Sequence, residues 1–156
     1  MNTISKEISY IIKRNKMLKE LEVMAEEKGF IKVESDFFED YLTYSKMNQT
    51  QNLQNLIKVQ DLNGNVFLLK PDVTTNIIKH VIPNCSSEDT VDLYYLDTVF
   101  RFDNLGRIKT IRQFGVEVIG RKDIDSDIKL IQLIAQIFKT YELDYFIEIG
   151  NQKFIS

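Results

Sequence analysis

Apolar residues Ile8, Ile11, Ile12, Leu18, Leu21 and Met24 recur at helical spacings among lysines and glutamates, which predicts a helix from about Ser5 to Lys28. Gly29 stops it, and a stripe of this kind is expected to pack on a core rather than on a membrane or a partner helix. The following GFIKVE alternates apolar and polar residues as a short strand does. DFFEDYLTYSKMNQTQNLQ has no clear period and reads as a loop with a short helix. In LIKVQDLNGNVFLLKPD two β-type runs flank Asp61-Leu62-Asn63-Gly64-Asn65, whose Asn-Gly pair suits a hairpin turn that needs positive φ. Pro71 ends the second run, and VTTNIIKHVI continues as a helix with Asp72 or Thr74 as its N-cap.

VDLYYLDTVFRFD and RQFGVEVIG are two further strand patterns, joined by NLGRIKTI into a second antiparallel pair. Asp123, Asp125 and Asp127 then mark the positive end of a helix whose broad apolar surface includes Ile128, Leu130, Ile131, Leu133, Ile134, Ile137 and Phe138. That helix is expected to lie on the sheet, and LDYFIEIGNQKFIS to begin as a strand. The order helix, strand, hairpin, helix, hairpin, helix, strand implies an α+β fold, with a largely antiparallel sheet and helices on one side. No repeat or Pro/Gly-rich linker interrupts it, so residues 1–156 are expected to form a single domain.

Composition narrows the function classes. With 44% hydrophobic and 28% charged residues the chain is an ordinary globular one, and its net charge of -3 lacks the cationic excess that nucleic acid demands. Binding of tRNA is therefore not expected. The single cysteine, Cys85, excludes an intrachain disulfide and reads as structural or incidental. No run approaches the ~20 apolar residues of a membrane span, so the expected compartment is the cytoplasm.

Candidate chemistry concentrates in FRFDNLGRIKTIRQFGVE, where adjoining strands bring Arg101, Asp103, Arg107, Lys109, Arg112, Gln113 and Glu117 into one region. Residues 101 and 103 are expected to share a strand face, as are 113 and 117. Arginine binds phosphate bidentately, and Gln and Glu accept hydrogen bonds from an ammonium, so the set suits an anionic nucleotide beside an amino acid. A ladder of cross-strand ion pairs accounts for the same pattern equally well. The one histidine, His80, reads as a packing or surface residue without a metal cluster around it. Tyr94, Tyr95, Phe100 and Phe102 read as sheet core, and DIDSD as a helix start rather than a Mg²⁺ site.

FRFDNLGRIKTIRQFGVEVIG resembles motif 2 of the histidyl-tRNA synthetase family, with its FR-x-E strand, GR-containing loop and Q-x-G-x-E strand. LLKPDVT is similar to the family's LRPE-G-T segment, and closer to the LRPD-M-T form of its relative, the regulatory subunit of ATP phosphoribosyltransferase. GFIKVESDFFE resembles the motif 1 entry, with Asp36 where a proline is usual. The resemblance covers nearly the whole chain but only the first part of the family's catalytic domain. Motif 3, the histidine-recognition segment and the anticodon-binding domain find no match.

The resemblance implies a class II aminoacyl-tRNA-synthetase-like antiparallel sheet flanked by helices. It implies Arg101 on a nucleotide α-phosphate with Asp103 in place of a nucleotide-contacting Glu, and Asp72, Thr74, Gln113 and Glu117 around an amino-acid ammonium. Lys70 in place of the usual Arg, the shorter Asp103 and a shorter loop weaken the nucleotide side. The expectation is a non-catalytic regulatory subunit of ATP phosphoribosyltransferase in histidine biosynthesis, with no catalytic residue, cofactor or metal. It would bind histidine and the short-form catalytic subunit, and form a two-fold dimer through the motif 1 region. The alternatives are a fragment of histidyl-tRNA synthetase that forms histidyl-adenylate, with Arg101 on the phosphate, and a truncated structural remnant.

Overall fold

The computed structural model describes residues 3–48, 56–86, 88–121 and 123–150. The chain divides into two compact units, Met1–Lys122 and Asp123–Ser156. In the first, helix α1 (Thr3–Glu27) ends as predicted at Gly29, whose φ of 82° lets the chain reverse. The Gly29 N–H donates to the Glu26 carbonyl (2.9 Å) and the Phe30 N–H to that of Ala25 (3.1 Å), which satisfies the last carbonyls of the helix. The expectation that the whole apolar stripe packs is corrected. Leu21 and Ala25 are buried, but Ile8, Ile11 and Ile12 are 52%, 46% and 62% exposed. A helix of 25 residues is about 37 Å long, at ~1.5 Å per residue, and outruns the sheet that covers its last turns.

The larger sheet has the order β1-β5-β6, from β1 (Ile31–Lys32), β5 (Val91–Phe102) and β6 (Ile108–Ile119). β1 runs parallel to β5, and β5 and β6 are antiparallel from Val91↔Ile119 to Phe102↔Ile108. The predicted pairing of the second hairpin holds, but β6 starts earlier than its sequence pattern, so the turn shrinks to residues 103–107. A smaller antiparallel sheet, β2-β4-β3, combines β2 (Phe38–Asp40), β3 (Lys58–Gln60) and β4 (Val66–Leu69). The predicted turn between β3 and β4 is present, with Gly64 at φ 85° and the Asp61 carboxylate accepting from the Asn63 and Asn65 N–H groups at 2.9 and 2.8 Å. β2 was not anticipated, because it presents Phe38 to solvent and buries Glu39, the reverse of what hydropathy suggests. Helix α2 (Tyr41–Met47) follows it, capped by Asp40. The two sheets are joined at Lys70, whose N–H donates to the Phe37 carbonyl (2.8 Å) and whose carbonyl accepts from Phe100 (3.0 Å).

The cap position of helix α3 (Thr74–Val81) is Val73, neither Asp72 nor Thr74 as expected, but Asp72 just before it accepts the Thr75 N–H at 2.7 Å. Alternation along β5 then sorts its residues between two faces. Leu93, Tyr95 and Val99 cluster with Val73 and Ile77 from the start of α3. Tyr94, on the opposite face, is fully buried and donates its hydroxyl to Glu26 of α1 at 2.7 Å. Helices therefore cover both faces of this sheet, not one as expected, because β5 is apolar on both sides.

In the second unit, α4 (Ile124–Thr140) begins where the acidic run predicts, with Asp123 accepting from the Ser126 N–H at 2.8 Å. Phe138 and Tyr145 stack at 4.9 Å between ring centroids. Residues 143–150 do not form the expected strand. Among the described residues no partner strand pairs with them, and β-type composition alone cannot satisfy a strand's backbone groups.

Candidate functional site

On the α3 side of the sheet, Gln113 lies opposite Asp97, Gly115 opposite Tyr95, and Glu117 opposite Leu93. Gly115 is there for space. A Cβ on it would stand 2.3 Å from Cζ and the hydroxyl oxygen of Tyr95, so only glycine lets the phenol lie across β6. The Tyr95 hydroxyl accepts from Gln113 Nε2 at 3.2 Å and is within hydrogen-bond reach of Thr74. Thr74 Oγ1 donates to Glu117 Oε1 at 2.6 Å. Gln113, Tyr95, Thr74 and Glu117 are thus one connected polar set, drawn from β6, β5 and α3.

Asp72 joins this set at the head of α3. Its Oδ2 accepts the Tyr44 hydroxyl at 2.6 Å while its Oδ1 takes the Thr75 N–H. Burial pushes the Glu117 carboxyl above its ordinary value; Thr74 opposes the shift and the nearby Asp72 adds to it. Burial raises the Tyr95 phenol too, and it raises that of Tyr44, where the hydrogen bond to Asp72 adds to the effect. Two carboxylates within electrostatic reach of each other thus stand beside hydroxyls and an amide, groups whose oxygens are able to accept hydrogen bonds from N–H donors.

The nucleotide-side residues are arranged differently. Arg101 shares the strand face of Tyr95 but stands opposite Lys109, a like charge, and has no hydrogen bond or ion pair among the described residues. Asp103 lies beyond β5, so it does not share a strand face with Arg101 as expected. Its Oδ1 accepts the N–H groups of Leu105 and Arg107 at 2.8 and 2.9 Å, and its Oδ2 takes the Arg107 guanidinium at 2.8–2.9 Å. The carboxylate is held below its usual range by these contacts, the Arg107 N–H first. Arg112 reaches Thr98 at 3.4 Å, and among the described residues Arg101, Lys109 and Arg112 form no cross-strand ion pair of the kind a ladder requires.

Lys70 is fully buried, with Nζ 2.6 Å from Asp97 Oδ1 and 2.7 Å from Ser35 Oγ. Burial favours the neutral Asp97, yet the bonds from Lys70 and Ser35 prevail and lower its pKa. Lys70 is therefore an internal anchor of the strand that leads to Asp72. His80 is a half-exposed surface residue 3.4 Å from Asp36. Sequence reasoning missed Tyr44, and it assigned Tyr95 to the core without its polar end. Gly115, isolated in a strong strand pattern, was the available signal for the Tyr95 crossing. A separate groove of about 420 Å³, lined by Phe38, Val59, Gln60, Asp61 and Phe67, contains none of the candidate residues.

The long β5–β6 hairpin, with α1 and α3 on its two faces and a polar cluster at its inner end, defines a class II aminoacyl-tRNA-synthetase-like fold. The histidyl-tRNA synthetase family model matches residues 10–156, and the chain belongs to that family. It is 29% identical over 119 residues to the histidine–tRNA ligase of Sulfurisphaera tokodaii, covering 74% of this chain and 28% of that protein. It is 32% identical over 130 residues to the ATP phosphoribosyltransferase regulatory subunit of Clostridium novyi, covering 81% of this chain and 31% of that protein. A crystal structure described as an ATP phosphoribosyltransferase regulatory subunit/histidyl-tRNA synthetase from Bacillus halodurans matches with a TM-score of 0.64 and 26% identity, over 83% of this chain and 35% of the other. The chain thus spans about three tenths of the length of the curated relatives it matches. Among the described residues no helix is long and apolar enough to cross a membrane.

Proposed function

We propose that this chain is a piece of a class II synthetase-like domain serving, in the cytoplasm, as a non-catalytic regulatory subunit for short-form ATP phosphoribosyltransferase in histidine biosynthesis. The observation that supports this reading is the connected set Gln113–Tyr95–Thr74–Glu117 with Asp72 beside it, which the proposal reads as a receptor for an amino-acid ammonium. Histidine is the ligand that the reading assigns to it. The nucleotide side is less prepared, since Asp103 is engaged by its own turn. Likeness to the Clostridium novyi regulatory subunit supports the choice within the family. The partner is the catalytic subunit, and feedback requires histidine to favour one of two states of the complex.

Self-association as a two-fold dimer belongs to the same proposal. The first part of helix α1 carries Lys6, Lys13, Arg14, Lys16 and Lys19 with Glu7 among them, and it leaves Ile8, Ile11 and Ile12 exposed. A second copy packed against this part of the helix would cover Ile8, Ile11 and Ile12. Sedimentation velocity of the chain, alone and mixed with a short-form catalytic subunit, tests both associations. Dimers alone and a faster mixed species are expected; monomers that never co-sediment would reject the regulatory role.

A second reading, part of a histidyl-tRNA synthetase, is favoured by one observation: the Arg101 guanidinium has no ion-pair partner among the described residues and is available to a phosphate. It predicts ATP binding in preference to histidine.

A further inference from the structure

Tyr44, on α2, lies 28 residues before Asp72, yet the two meet at 2.6 Å. The contact is built, not incidental. Asp40 caps α2 through the Thr43 N–H at 2.7 Å, and one turn later the helix inserts Tyr44, only 1% exposed, beneath the head of α3. A phenylalanine would fill the same space. The added hydroxyl has a defined use, since it donates to the Asp72 oxygen that the α3 backbone does not take. With Oδ1 on the Thr75 N–H and Oδ2 on Tyr44, the carboxylate is held from two elements at once. Rotation about its side chain would break a bond on one side or the other.

We propose that Tyr44 is a positioning residue of the amino-acid site, whose hydroxyl fixes the Asp72 carboxylate in the orientation that receives a primary ammonium. This rests on the ammonium reading of Asp72, Thr74, Gln113 and Glu117. Burial and the hydrogen bond to Asp72, opposed by Arg101, keep the phenol protonated throughout the physiological range, so it acts only as a donor toward Asp72. Glu117 has its own donor in Thr74 and does not depend on Tyr44. The substitution therefore acts on the Asp72 side of the candidate site alone.

The test compares the chain with its Tyr44→Phe variant, which keeps the ring and its packing. Calorimetry uses three probes: L-histidine, histamine, which retains the ammonium but not the carboxylate, and imidazolepropionate, which lacks the ammonium. Tyr44→Phe is expected to weaken the first two by about tenfold, to leave imidazolepropionate unchanged, and to leave the melting temperature within a few degrees. Equal loss for all three probes, or no loss for any, overturns the positioning role. NMR scalar couplings across the Asp72 side chain give a readout independent of ligand: one rotamer in the parent, averaging in Tyr44→Phe. A single rotamer in both overturns the inference whether or not any probe binds. Failure of the underlying ammonium reading shows separately, as a parent chain that binds none of the three.

Discussion

The two ends of the β5–β6 hairpin carry the two halves of the candidate site, and they are built in opposite ways. At the inner end, each candidate side chain is bonded to another element: Gln113 to Tyr95, Glu117 to Thr74, Asp72 to Tyr44. At the outer end, Asp103 and Arg107 satisfy each other within one turn, and Arg101 is left opposite Lys109. Long-range bonds between buried or half-buried groups preorganise a receptor, because the cost of orienting the groups is met during folding. Local bonds in an exposed turn organise only the turn. The proposed ammonium end is therefore the one whose side chains are fixed from several elements, while a nucleotide would have to draw Asp103 away from Arg107.

The largest expected effect comes from cutting the anchor beneath the inner end. Lys70→Met leaves the Asp97 carboxylate without its cation, and breaking such a buried pair costs about 3–5 kcal/mol. Thermal unfolding should fall by on the order of 10 °C. A loss of only a degree or two would mean that Asp97 is compensated from elsewhere.

Gly115→Ala is next. Its Cβ collides with the Tyr95 ring, so overpacking of about 1–3 kcal/mol is expected, together with loss of histidine binding as Tyr95 is displaced. Binding that survives would separate Tyr95 from the ammonium site.

The smallest effect has the opposite sign. The Glu117 carboxyl titrates above its ordinary value in the folded chain, so its ionisation opposes folding. That contribution to stability is present below the ordinary glutamate range and is lost as the pH rises through the raised value. Glu117→Gln should therefore be more stable than the parent at pH 7 and indistinguishable from it below about pH 4. Chemical denaturation at the two pH values checks this, and a variant less stable at pH 7 would show that Glu117 is structural.

The inner end was partly legible because its signals are periodic. Gln113 and Glu117, four residues apart in a strand pattern, had to share a face, and Asp72 before an apolar helical run had to sit at its head. What holds them was not legible. Nothing in the spacing ties Tyr44 to Asp72, and Tyr95 was classed by its ring rather than its hydroxyl. At the outer end periodicity misled: Asp103 continues the alternation of Arg101, but its short carboxylate takes the backbone N–H groups of the turn, and Gly106 at φ 74° completes the reversal. Lys70 shows the same limit, since a lysine in a strand pattern gives no sign that it will be fully buried against Asp97.

The most direct test of the central claim is calorimetric titration of this chain with L-histidine and, separately, with ATP. A histidine Kd on the order of 0.1–1 mM is expected, weak because no dedicated imidazole partner is evident among the described residues, with no measurable ATP binding. Glu117→Ala should abolish the histidine signal and Asp103→Asn should leave it intact. Tight ATP binding with no response to histidine would contradict the account and favour the synthetase reading.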